Sequence, residues 1–401
     1  MACIMRCLLY LILVFSLISC TCKKYDKPQN KIQKTEKKSQ EIKTSASKKV
    51  KNETRVPRSK KLKDHVQVTP LITRWHHQID GEKIVNLYLR DEILVAVTES
   101  SYLYAFNRKT GEPLWVYKVG HKLDYAPTKY KDKLFVLSMG HLHVISTITG
   151  GQLLKRELTF VPCSSVCATD RYVFVAGWDR FVYAIDPSTA RHDWRFRLDD
   201  HVWSTPVEVE GSLYFATMDN RVYSISSQTG DRISEWGEDS IFHTFGSNKA
   251  HLTATDDPPT LFVGSRDYNL YAINRITGIV DWKFESGGEI NEQPLSIGNA
   301  VYCISQREAG KSSIMHALDV ESGNLKWEIT NGKSIYFQGK YHVWIMKYGK
   351  SLIGVNPKTG KATDEFSLEM FDHFTSNTND DLGFVGYMAT DDGYIFAVEE
   401  K

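Results

Sequence analysis

The sequence predicts an all-β fold, an eight-bladed β-propeller of four-stranded antiparallel blades in which the first ordered strand finishes the last blade. Three observations predict it. A fourteen-residue unit recurs along the chain, the residues flanking its turn alternate apolar and polar, and each end of the repeat array holds the part of a blade that the other end lacks.

The clearest copy of the unit is YAINRITGIVDWKF, residues 271–284. It recurs as YAFNRKTGEPLWVY from Tyr104, YAIDPSTARHDWRF from Tyr183, YSISSQTGDRISEW from Tyr223, HALDVESGNLKWEI from His316 and IGVNPKTGKATDEF from Ile353. A degenerate copy, HVISTITGGQLLKR, begins at His143. With the turn glycine or its equivalent as marker (Gly111, Gly150, Ala190, Gly230, Gly278, Gly323, Gly360), the intervals are 39, 40, 40, 48, 45 and 37 residues. That is the spacing of four-stranded propeller blades.

Each part of the unit has a physical task. LYAIN alternates, which predicts a strand with two distinct faces. Asn107, Asp186, Asn274, Asp319 and Asn356 open most of the turns, where a short polar side chain bonds the backbone two residues on. Glycine then supplies the positive φ that closes the hairpin. Beyond it Val280, Trp282 and Phe284 face one way and Asp281 and Lys283 the other; Trp194, Phe196 and Leu198 repeat this against Asp193, Arg195 and Arg197. A twisted sheet with a tryptophan on one face cannot shield that ring alone, so the next blade must cover it. Small residues in the preceding strand (Ala105, Ala184, Ala272, Ala317, Gly354) leave room for close packing.

Stacking of this kind has to continue until the ring closes. The last segment, LGFVGYMATDDGYIFAVEEK, holds two strands and stops where the turn and outermost strand should follow. TRWHHQID carries Trp75 forty residues ahead of Trp115 with no hairpin partner before it. Residues 71–79 are therefore expected to complete the final blade, giving seven marked turns plus one split blade. Closure removes the free sheet edges that would template aggregation.

The units, of the form A-[IFL]-[ND]-x-x-[TS]-G-x-x-x-W, resemble the pyrroloquinoline-quinone-like repeats of quinoprotein propellers over roughly residues 70–401. Leu154 and Asp364 stand in place of the tryptophan and Ala190 in place of the glycine, marking blades whose packing should deviate. Quinoprotein dehydrogenases of this kind hold a quinone over calcium, use a catalytic aspartate and commonly carry a vicinal Cys-Cys pair. The sequence has no Cys-Cys, and no calcium-ligand or catalytic-aspartate motif matches a numbered position. It also lacks HExxH, GxSxG and P-loop motifs. His76 and His77 are adjacent on a strand, so their side chains should point to opposite faces. The expectation is a non-enzyme without cofactor or metal.

Outside the repeats the chain divides by charge. MACIMRCLLYLILVFSLISC has a short basic start and an apolar run from Leu8 to Leu17, too short to span a bilayer, which reads as a signal peptide over 1–19. Its end, Leu17-Ile18-Ser19-Cys20, resembles a bacterial lipobox, implying cleavage before Cys20 and diacylglycerol on its sulfur. Residues 20–65 read as a disordered tether: 23–63 hold 16 Lys or Arg against 4 Asp or Glu with few apolar residues. From Asp64 on there are 33 basic against 44 acidic residues, so an acidic body, the propeller of 66–401, hangs on a basic leash. Of seven cysteines, Cys3 and Cys7 leave with the signal and Cys20 is acylated. Cys22, Cys163, Cys167 and Cys303 remain, which is no disulfide framework, and CxxxC alone is weak evidence for a metal.

With the Thr-Gly turns on one face of the ring, the opposite face carries the other hairpin turns and the crossings between blades. WDRF (178–181), MDNR (218–221), RDYN (266–269), QREAGKSS (306–313) and TDDG (390–393) fall there, with Asp124, His201, Trp203, Glu289, Glu292 and Tyr336 from the crossings. Trp178, Arg180, Trp203, Asp219, Arg221, Arg266 and Tyr268 are the candidate partner-binding residues, since aromatics and arginines concentrate at protein interfaces. Asp179, Asp219 and Asp267 hold equivalent places and are equally suited to shaping tight hairpins. The insertion 246–259 is a further candidate for contacts.

Lipobox, blade count and repeat type together resemble the lipoprotein propeller scaffolds of outer-membrane β-barrel assembly. That resemblance implies a periplasm-facing, outer-membrane protein that docks on the barrel component or presents unfolded outer-membrane proteins, with no nucleic-acid partner. A surface-displayed propeller binding a host or matrix ligand is the alternative, distinguished by protease treatment of intact cells. A quinone-dependent dehydrogenase is a second alternative, and it predicts activity or a spectral change with cofactor and calcium.

Overall fold

Among the residues the computed structural model describes (61–62, 70–237, 240–307, 312–376 and 385–401), the strands form eight antiparallel sheets of four. In chain order these are blade 1 (84–118), blade 2 (128–157), blade 3 (167–197), blade 4 (207–243), blade 5 (253–285), blade 6 (295–330), blade 7 (332–367) and blade 8 (373–400). Blade 8 takes its fourth strand from Leu71–Gln78, which pairs with Tyr394–Glu400 from Leu71 opposite Glu400 to Gln78 opposite Tyr394. Within each blade the strands run a, b, c, d in order, and strands a of neighbouring blades approach one another, so strand a lines the axis and strand d the circumference. The eight-bladed ring with the N-terminal strand as closure is as the sequence predicts.

The repeat unit proves to be a peg and its socket. Asn107 Oδ1 accepts from the N–H groups of Lys109 and Thr110 at 2.9 and 3.2 Å, and Gly111 N–H closes the turn on Asn107 O at 2.8 Å. The tryptophan of one blade lies flat on the turn glycine of the next: a Cβ built on Gly323 would stand 2.5 Å from the Trp282 ring. Trp75 meets Gly111 in the same way, as do Trp115 and Gly150, Trp194 and Gly230, Trp236 and Gly278, and Trp327 and Gly360. Each indole N–H then donates to a carbonyl of the turn it covers, Trp75 to Arg108 at 3.0 Å and Trp115 to Thr147 at 2.7 Å among them. Packing and hydrogen bond together join consecutive sheets, because the ring's apolar face is buried and its one donor is satisfied. Strand c presents a small residue beneath the ring, with Ala105 opposite Trp115 and Ala272 opposite Trp282.

The departures fall where this contact changes. Leu154 of blade 2 and Ala190 of blade 3 pack in one cluster, so a smaller peg meets a socket that carries a methyl group. Asp364, exposed, stands at the tryptophan position of blade 7, and the next blade, blade 8, takes its strands c and d from opposite ends of the chain and so has no turn to offer a glycine. That boundary is filled instead by a cluster including Trp344, Phe371, Phe396 and Leu62, all fully buried. Leu62 thus packs with blades 7 and 8 ahead of residue 66; the lipobox, Cys20 and the rest of 20–60 lie outside the described residues. In blade 4 the tryptophan sits on a 3-10 turn, Ser234–Trp236, and strand d follows only at Ile241–His243.

The b strands are almost wholly buried and, with the inward residues of strands c, carry the core. His76 and His77 do face opposite ways, toward Phe396 at 5.6 Å and Phe106 at 4.8 Å. Cys163, Cys167 and Cys303 are free thiols; burial pushes each up to about 12, and Cys163 donates to Val202 O at 3.1 Å. No group of His, Cys, Asp and Glu among the described residues is arranged to hold a metal ion.

Candidate protein-binding rim

The b–c turns and the crossings from strand d to the next strand a share one face, stitched together by the backbone. Trp178 N–H donates to Val161 O at 2.9 Å and Arg266 N–H to Ser247 O at 3.1 Å, each joining a turn to the preceding crossing. The turn aspartates look inward: Asp219 accepts from Thr217 Oγ1 at 2.5 Å, Asp267 from the Tyr271 hydroxyl at 2.6 Å, and Asp179 from the Tyr183 hydroxyl. The hairpin-shaping role of these carboxylates is therefore real, and it leaves the flanking side chains to face solvent. Arg180, Asn220 and Tyr268 take the left-handed position of their turns, with φ of 64°, 64° and 72°. For a residue with a Cβ this costs ~1–2 kcal/mol.

Five of the candidate residues come together at blades 3 and 4. Trp178 and Trp203 meet edge to face, 5.9 Å between centroids, and remain 47% and 46% exposed. His201 holds Trp178 in place, its ring 5.4 Å from that of Trp178 and its Nε2 donating to Trp178 O at 3.2 Å. Lys249 lies over the Trp203 ring, 5.6 Å from the centroid. Arg180 donates to Asp199 O at 3.1 Å, while Arg221 pairs with the Asp199 carboxylate and, at 3.0 Å, with Asp219. The Tyr223 hydroxyl, then Asp219 and Asp199, hold the Arg221 guanidinium well above its ordinary value. Arg266 and Tyr268 stand apart on blade 5. Arg266 pairs with Glu289 at 2.8 Å, which holds that carboxyl below the usual range, and the Tyr268 ring is exposed.

Other residues of this face were not singled out in the sequence. Phe245 is 84% exposed, and Met139 and Val161 are also exposed. Met139, Val161 and Trp178 border a groove of about 680 Å³ with Tyr125 and Phe160. Met139, Val161, Trp178, Trp203 and Phe245 thus form an apolar arc over blades 2 to 5. The usable signal was position: each is an apolar residue flanked by polar ones in a turn or crossing of the same face. Tyr336 is a correction. It is 2% exposed and belongs to strand a of blade 7, Gly332–Gln338, because only Asn331 separates that strand from blade 6. Of QREAGKSS, residues 306–307 and 312–313 extend strands b and c of blade 6, and 308–311 lie outside the described residues.

One arrangement elsewhere has the order of a hydrolytic triad. Ser305 Oγ lies 2.8 Å from His316 Nε2, and His316 Nδ1 lies 3.6 Å from Glu328. Ser305 and His316 are buried at 0% and 2% exposure, with Phe284 of blade 5 edge-on to the imidazole at 5.2 Å. No substrate carbonyl reaches that hydroxyl, and the trio serves blade packing.

Comparison with known proteins bears on the whole ring. Solved structures with the same fold include BamB from Moraxella catarrhalis, 14% identical with a TM-score of 0.65 over 82% of this chain and 98% of that one. The computationally designed Ika8 protein is 13% identical with a TM-score of 0.61 over 82% and 98%. The quinohemoprotein alcohol dehydrogenase ADHIIG from Pseudomonas putida HK5 is 13% identical with a TM-score of 0.61 over 83% and 76%. Among curated proteins none matches in sequence. The family model of the outer membrane protein assembly factor BamB matches residues 139–240 and 234–399, a span that takes in the arc of blades 2 to 5 and the socket glycines from Gly150 on. By that match, which spans more than half of its length within a closed ring of eight blades, this chain belongs to the BamB family.

Proposed function

We propose that the protein is a non-catalytic docking scaffold, held to the outer membrane through an acylated Cys20 and facing the periplasm. In this reading it binds a component of the β-barrel assembly machinery, or its unfolded clients, through the rim of blades 2 to 5. The observation that carries the reading is the exposed Trp178–Trp203 pair, with His201 bonded to Trp178, Lys249 over Trp203, and Arg180 and Arg221 held on Asp199 between blades 3 and 4. Two half-exposed indoles cost solvation in the free protein and repay it when a partner covers them, and the surrounding charges fix register. Membership of the BamB family supports the assembly role and the outer-membrane location.

Crosslinking in native membranes followed by co-purification tests the proposal. The full chain should retain the barrel component, and Trp178→Ala with Trp203→Ala should lose most of it, since anchors of this type cost ~2–4 kcal/mol each. Retention that is indifferent to both substitutions, with the variants folded, would remove the rim from the interface.

A further inference from the structure

The rim has a second sector, created by the lengths of the crossings. Those at 119–127, 158–166, 198–206, 244–252 and 286–294 are nine residues each, and the aromatic arc is built on them. The crossing from blade 6 to blade 7 is Asn331 alone, and those into blades 8 and 1 are 368–372 and 79–83. With less chain to cover them, the inner strands of blades 7, 8 and 1 leave a cleft of about 340 Å³ open to this face.

The chemistry of the cleft differs from that of the rest of the molecule. Its floor includes Leu87 and Met346, both buried, and the exposed Tyr348 ring forms one wall. Lys333, Lys347 and Lys350 line it against a single acidic side chain, Asp372, on a body whose acidic residues otherwise outnumber its basic ones. Lys347 pairs with Glu365 and Lys350 with Asp372, both at 2.7 Å, and each ammonium has two further N–H donors. Lys333 is exposed and has no hydrogen-bond or ion-pair partner among the described residues. It also borders a second cavity of about 180 Å³ lined by Leu295, Tyr302 and Ile304. A concave site with low-dielectric walls concentrates the field of its cations, so a positive cleft on an acidic body selects anions.

We propose that this cleft binds a small organic anion with an apolar body. A carboxylate or phosphate head sits between Lys333 and Lys350, and the hydrocarbon lies on Leu87, Met346 and the face of Tyr348. Cations alone would take any anion; the apolar floor adds a preference for an amphiphilic one. The site is on the opposite sector of the rim from Trp178 and Trp203 and does not depend on the docking role proposed there.

Calorimetric titration of the full chain with phenyl phosphate tests it. The expected result is saturable one-to-one binding, weakened about tenfold or more in Lys333→Glu through loss and reversal of one contact charge. Lys333→Arg should keep the binding, Trp178→Ala should leave it unchanged, and inorganic phosphate should bind more weakly than its phenyl ester. Absence of saturable binding, binding that survives Lys333→Glu in a variant with unaltered melting temperature, or equal binding of inorganic phosphate would each overturn the proposal.

Discussion

At the scale of single residues, the fold depends on an exchange of volume across each blade boundary. Gly323 lies under the Trp282 ring with a φ of 69°, so an alanine there is strained twice, by its backbone and by a Cβ 2.5 Å from the indole. Gly323→Ala is expected to cost ~2–4 kcal/mol. Trp282→Leu should cost a similar amount through the lost burial and the lost bond to Val320 O, 3.1 Å long. The natural pairing of Leu154 with Ala190 indicates that the two changes compensate. Chemical denaturation of the double variant should give a destabilisation at least ~1 kcal/mol smaller than the sum of the singles. Strict additivity would show that peg and socket do not sense each other. Both departures were visible in the sequence; that they are the two halves of one contact was not, because the tryptophan of one repeat meets the glycine of the next, some forty residues on. A separation of 25 residues likewise hid the Trp178–Trp203 contact, whose partners are both legible as rim residues but lie one in a turn of blade 3 and the other in the crossing that follows it.

At the scale of the elements, the sheets carry two buried histidines that tie stability to pH. His143, on strand c of blade 2, accepts or shares a proton with the Tyr117 hydroxyl at 3.0 Å; His316, on strand c of blade 6, is bonded to Ser305. Burial lowers both to about 4, helped by Lys155 beside His143 and Arg307 beside His316. Their ordinary value is 6.5, so between pH 6.5 and about 4 the unfolded chain binds more protons than the folded one. Stability is therefore complete above pH 6.5 and falls as the pH drops, by up to ~1.4 kcal/mol per pH unit for each histidine. Melting temperatures measured from pH 7.5 to pH 4.5 should decline less steeply in His316→Gln, which keeps a polar partner for Ser305, than in the parent chain. Parallel declines would mean that carboxylates alone set the acid sensitivity. Alternation placed the strands correctly, and it could not reveal these histidines, since a polar residue at an inward position reads as an irregularity until its partner on the adjoining strand is known. Tyr336 was placed in a crossing for a related reason: a one-residue crossing brings strand a of blade 7 forward without altering the repeat's marker residues.

For the whole molecule the decisive element is Leu71–Gln78, because without it blade 8 ends in a free edge at Tyr394–Glu400 and Gly111 of blade 1 loses the indole of Trp75. The closing strand contributes Leu71, fully buried, the stacking of His76 on Phe396 and the Trp75 bond to Arg108 O. Loss of three such side chains amounts to at least ~5 kcal/mol, comparable with the whole stability of many domains. A chain lacking residues 1–79 should accordingly melt without a cooperative transition and scatter light at concentrations where the parent stays clear, since the exposed strand recruits others. A chain beginning at residue 56 keeps both the closing strand and Leu62 and should melt with the parent. Leu62→Ala in that background should lower the melting temperature, because it empties a fully buried site between blades 7 and 8, a loss of ~2–5 kcal/mol. Cooperative melting of the chain that lacks 1–79 would show that seven and three-quarter blades suffice, and that the ring is held by its individual peg contacts rather than by closure.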